Sequence, residues 1–118
     1  MIEMEVISGN ALKITAPKKL YADDFQQIAP KVDSFISQLG KIRLLIDVSN
    51  FNGWSNAAAL LSHIRFVKDH HQKVERIAVV GARNWQHWVI GVVRMILHPE
   101  VRAYDRSQQS EALRWIVG

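Results

Sequence analysis

Ile42-Arg43-Leu44-Leu45-Ile46-Asp47-Val48 carries apolar side chains at all but two of its positions. A half-buried strand would alternate and a helix would need a longer run, so this stretch reads as a strand covered on both faces, within a parallel sheet. Glu75-Arg76-Ile77-Ala78-Val79-Val80-Gly81 repeats the pattern. Between them lie a loop, 49–53, and a stretch of helical periodicity over about 54–70. Two buried strands joined through a helix make a right-handed crossover unit, which fixes the class as α/β.

Working outward, Ile2, Met4 and Val6 alternate with Glu3 and Glu5, which predicts a half-buried strand. Ser8-Gly9-Asn10 predicts a hairpin turn, because Gly and Asn tolerate the positive φ it requires. Leu12 and Ile14, alternating with Lys13 and Thr15, give a second, antiparallel strand that Pro17 ends. Asp23 and Asp24 suit the positive end of a helix, and Phe25, Ile28, Ala29, Val32, Phe35, Ile36 and Leu39 follow at helical spacing. Pro30 is expected to kink or split that helix, and Gly40 to stop it. Beyond the second buried strand, the sequence predicts a helix over 84–97, a short strand over 101–104 and a last helix. Ser107 opens that helix, and Ala112, Leu113, Trp115 and Ile116 form its apolar face. The order is β-β-α-β-α-β-α-β-α: a mixed sheet with a parallel core, read as one domain over 1–118.

Composition sets the bounds. A chain of 118 residues with 48% hydrophobic and 22% charged side chains can bury a core unaided. It has no cysteine, which excludes disulfides, thiolate metal sites and a cysteine nucleophile. The net charge of +4 is spread among acids without a dense basic run, so no nucleic-acid partner is expected. The first residues, MIEMEVISGN, lack the basic start of a secretory signal. The apolar stretch over 88–97 is interrupted by Arg94 and too short to span a bilayer. A cytoplasmic protein is the expectation.

Taken together, LLIDVSNFNGW (Leu44 to Trp54), ERIAVVG, NWQHW (Asn84 to Trp88), VRAYD and SEALRWI resemble the SpoIIAA-like family. The resemblance runs along essentially the whole chain, with landmarks at Asp47, Phe51, Gly53, Trp54, Gly81, Trp85, Ala112 and Trp115. It implies a domain of the STAS and CRAL-TRIO type, without enzymatic activity. It also implies binding of ligands or lipid-like molecules by mobile helices over the sheet, with membrane association. STAS anti-sigma-factor antagonists carry an Asp-Ser-Ser-Gly type motif with a phosphorylated serine. This sequence departs from it: Ser49 and Ser55 lie in the corresponding loop region, but in a different pattern.

On the expected 84–97 helix, Trp85, Trp88, Val89, Val92 and Ile96 share one face, and Ile90, Val93, Met95 and Leu97 widen it. A helix apolar around most of its circumference needs cover from protein, ligand or membrane. The 54–70 helix offers Trp54, Ala57, Ala58, Leu61 and Ile64 on one side, extended by Leu60 and Val67; for its alanines, 57–59, tight packing on the sheet is the favoured reading over close approach of another helix or an acyl chain. Both helices follow the carboxyl ends of buried strands, where open α/β sheets hold ligands. Free N–H groups near Ser55 and Asn84, with Arg83, would favour an anionic head there. An amphiphile would then lay its tail between Trp54 and Trp85. The expected ligand-binding set is Phe51, Trp54, Ser55, Ala58, Leu61, Arg83, Trp85, Trp88, Val89 and Val92.

Asp47 and Asp105 read as caps of the segments that follow them. His63 and His70 stand two helical turns apart, too far to share a metal, and no other metal-ligand spacing exists. A GxSxG elbow and phosphate-cradling glycine loops are absent. No catalytic residue, metal or cofactor is therefore assigned. The leading expectation is a non-catalytic module for a lipid-like or apolar small molecule, peripherally on a membrane surface. The alternative is a STAS-type interaction module acting through a homodimer or a regulatory partner.

Overall fold

The computed structural model describes residues 1–82 and 100–118. The helix expected over 84–97 lies outside them.

β1 (Glu3–Ser8) and β2 (Ala11–Thr15) pair antiparallel through a turn at Gly9. Gly9 takes the positive φ, 54°, alone. Asn10 instead donates from its side-chain amide to the Lys41 carbonyl at 3.1 Å, tying the hairpin to the chain that enters the next strand. β4 (Ile42–Asp47) lies parallel to β2, β6 (Val74–Val80) parallel to β4, and β7 (Glu100–Tyr104) parallel to β6. The sheet order is β1-β2-β4-β6-β7, a mixed sheet with a parallel core, as the hydrophobic pattern predicts. A two-residue parallel pair is added by β3 (Lys19–Leu20) and β5 (Gly53–Trp54). Pieces so short carry no periodicity, and the sequence reading placed neither.

Each face of the sheet has its own cover. Leu12, Ile14, Ile42, Leu44 and Val74 pack with Ile28 and Val32 of α1 (Ala22–Leu39) and Phe66 of α2 (Ala57–His70). Ala11, Leu45, Ala78 and Val80 pack against Ala112 and Ile116 of α3 (Gln109–Val117) on the other side. In β6 an extra residue, Glu75, interrupts the pairing with β4, so Val74 and Ile77 turn to the same face although three apart. Two arginines fasten α3 to the sheet. Arg43 donates to the Ile116 carbonyl at 3.1 Å and Arg76 to the Trp115 carbonyl at 2.9 Å, meeting the negative end of the helix.

Three boundaries differ from the sequence reading. α1 runs unbroken through Pro30; Pro30 and Gln26, whose carbonyl loses its i+4 donor to the proline, are both exposed, so the proline sits on the solvent side of the helix. α2 begins at Ala57 rather than at Trp54: Asn56 caps it by accepting from the Ala59 N–H at 2.9 Å, while Trp54 is held extended in β5. α3 is entered from Asp105 through a single 3₁₀ turn, Arg106–Gln108, and Gln108 returns a side-chain bond to the Asp105 N–H at 2.9 Å. Ser107 lies within that turn. Among the described residues no helix is long and apolar enough to cross a membrane.

Candidate functional site

α2 decides the site, because its two sides face opposite ways from those its leucines indicate. Ala59, His63, Phe66 and His70 recur at helical spacing and turn toward the sheet. Leu60, Leu61 and Ile64 turn outward, 39%, 55% and 55% exposed. Two imidazoles thus take inner positions that binary patterning reserves for aliphatics. Each is accommodated by partners far away in sequence.

His63 accepts at Nδ1 from the Trp54 indole N–H at 3.1 Å and stacks on Phe25 with ring centroids 5.0 Å apart. Burial among these rings lowers its pKa from 6.5 to about 4, since a charged imidazole there would be stripped of water. The neutral ring must therefore carry its proton on Nε2. His70 is buried with both nitrogens engaged: Nδ1 lies 2.7 Å from the Phe66 carbonyl and Nε2 lies 2.8 Å from an Asp33 carboxylate oxygen. Its ring stacks on Phe66 at 4.2 Å. Asp33 belongs to α1, so this bond ties the two helices together.

Between these helices and the sheet lies a pocket of about 140 Å³. Ile14, Leu44, Ile46 and Ile77 form its floor, Phe25 and Ile28 one wall, and His63, Phe66, Val67 and His70 the other. Phe51, buried in the loop after β4, closes one end. Among the described residues its lining contains no lysine, arginine or carboxylate.

Five of the ten expected ligand-binding residues are described. Phe51 lines the pocket, and Trp54 stands behind it, edge-on to Phe51 at 5.2 Å. Ser55 is half-buried and its N–H is spent on the Leu20 carbonyl at 2.8 Å, so it offers no free donor to an anion. Ala58 and Leu61 are on the exposed side of α2. The alanine packed on the sheet is Ala59, with Ala57 and Ala58 outside. Arg83, Trp85, Trp88, Val89 and Val92 lie outside the described residues. Sequence reading passed over His63, Phe66 and His70 as liners, although their spacing of three, four and seven is the signal of one helix face.

At the carboxyl end of β4, Asp47 accepts from the Ser49 N–H at 2.9 Å, a capping role as its position implies. Gly81 follows β6 with φ of 83°, so close to Ser49 that a Cβ there would collide with the serine. Among the described residues no cluster of three or more metal-ligating side chains exists.

The sequence model of the SpoIIAA-like family matches residues 11–117. Among solved structures, an uncharacterized protein of the DUF3478 family with a SpoIIAA-like fold, from Shewanella loihica, superposes with a TM-score of 0.79 at 24% identity, over 98% of this chain and 92% of that one. The anti-sigma factor antagonist SpoIIAA in its unphosphorylated form superposes at 0.62 and 12% identity, over 97% and 98% of the two chains. The Bacillus cell fate determinant SpoIIAA in the phosphorylated form gives 0.59 and 14%, over 97% and 100%. These likenesses establish a shared fold. No curated protein matches the chain in sequence.

Proposed function

Since the chain belongs to the SpoIIAA-like family, we propose that it is a non-catalytic regulatory module that acts by binding a protein partner through the outer face of α2. The observation that carries this reading is the exposure of Leu60, Leu61 and Ile64 together on one helix face. Scattered surface leucines are ordinary, but adjacent large aliphatics on a rigid element mark an interaction surface. Arg65 and Lys68, also exposed, continue the same face and favour a partner with acidic residues beside its apolar ones. The kinship with an anti-sigma factor antagonist supports the same class of action.

Site-specific photo-crosslinking tests it. With a benzophenone amino acid at position 61, cells producing the protein should yield a discrete adduct that the same group at exposed Glu5 does not. A dimer-sized adduct would identify the partner as a second copy of the chain. Adducts equal at both positions, or none at either, would remove the reading.

A second reading, the holding of an apolar small molecule, is favoured by the pocket beneath α2. In this reading the molecule lies in the interior pocket; at the loop edge the Ser55 N–H is bonded to the Leu20 carbonyl.

A further inference from the structure

We infer that His70 and Asp33 form a proton-dependent latch between α1 and α2, closed while the imidazole carries a proton on each nitrogen and released when it loses one. The contact calls for two protons. Nδ1 lies 2.7 Å from the Phe66 carbonyl, which can only accept, so Nδ1 donates. Nε2 lies 2.8 Å from an Asp33 oxygen. The Asp33 side chain is 64% exposed, and a carboxylate that keeps its water keeps its charge and only accepts. Nε2 must therefore donate as well. A neutral ring has a single N–H, so either tautomer would point a lone pair at one of the two oxygens.

The surroundings make this charge depend on its partner. The His70 side chain is 11% exposed, and a cation with so little water needs its counter-ion. Its place at the carboxyl end of α2 also suits a positive ring. Facing it, α1 brings Asp33, while α2 and the turn after it bring His63 and His71 to the same lining. His63 is neutral. Among the described residues the sheet brings aliphatic side chains alone, Val74 and Ile77 included. Lys31, Lys68, Asp69 and Lys73 are exposed to water. Loss of the Nε2 proton to water would set a lone pair against the carboxylate and turn attraction into repulsion. Phe25 and Ile28 of α1 stand opposite Phe66 and Val67 of α2 across the pocket, so release of the latch lets its walls part. The latch holds whatever either side of α2 binds.

Imidazole nitrogen NMR of the full chain, followed together with the backbone amides as pH is raised, tests it. While the His70 ring shows two N–H nitrogens, a nuclear Overhauser contact should join it to the Asp33 side chain. Loss of the second proton should remove that contact and shift the amides of 31–35 and 67–70 with the same midpoint. Asp33→Asn separates proton from contact, because an amide can donate to the lone pair of a neutral ring. In that variant the contact should persist after the ring has lost its proton. A wild-type ring that keeps its contact with Asp33 while holding a single N–H would overturn the inference. Release in Asp33→Asn at the wild-type midpoint would overturn it too, by showing that the proton does not act through the carboxylate.

Discussion

His63 shows most plainly how one side chain can be polar in sequence and apolar in place. Its Nδ1 lone pair serves the Trp54 N–H, which a proton would displace. Burial lowers the folded-state pKa to about 4, so the unfolded chain binds the proton more readily. The stabilisation is therefore present in full above the ordinary value of 6.5, and it is lost as pH falls from there toward 4. A shift of this size corresponds to at most about 3 kcal/mol. Urea unfolding at pH 7 and at pH 4.5 should show wild type losing more stability on acidification than His63→Phe does. Equal losses would disprove the role given to the ring. At Gly81, a Cβ would collide with Ser49 and φ of 83° is unfavourable to any side chain. Gly81→Ala should thus cost about 2 kcal/mol or more, read from the urea midpoint.

At the scale of the element, α2 explains why the site was harder to read than the fold. The stripe 60, 61, 64 and the stripe 59, 63, 66, 70 both fit a helix, and hydrophobicity favours the first for the interior. What reverses the choice is partnership. His63 finds Trp54, which is held in a two-residue strand pair that leaves no trace in periodicity, and His70 finds Asp33 on another helix. Asp105, Asp47 and Gly40 were legible because caps depend on neighbours a few residues away. Two substitutions separate the faces. Leu61→Glu should leave unfolding free energy within about 0.5 kcal/mol of wild type. Phe66→Ala should cost about 3 kcal/mol by emptying space between the sheet and α2.

Across the whole molecule, the sheet is the frame and the helices differ in how they are held. α3 is clasped by polar bonds as well as packing: Arg43 and Arg76 reach its last carbonyls, and Arg76 and Arg102 lie over the Trp115 ring at 5.4 and 4.5 Å. The strands behind this arrangement were legible as 42–48 and 75–81, within a residue of the observed Ile42–Asp47 and Val74–Val80, because burial on both faces writes an apolar run. The arginine clasp was not, since Arg43 and Ile116 are 73 positions apart. Arg43→Ala with Arg76→Ala should loosen α3 selectively, seen as faster amide exchange over 109–117 than in β4. Uniform acceleration across the chain would show instead that the arginines support the entire fold.

Everything proposed for function depends on which side of α2 meets water. The natural chain has no cysteine, so single-cysteine variants report each position alone. Maleimide labelling of native protein should modify Leu61→Cys and Ile64→Cys at nearly the rate of unfolded chain. His63→Cys and Phe66→Cys should react slower by about a hundredfold, at a rate limited by opening. Fast labelling at 63 and 66 with protection at 61 and 64 would contradict the account, and both the interaction surface and the pocket would go with it.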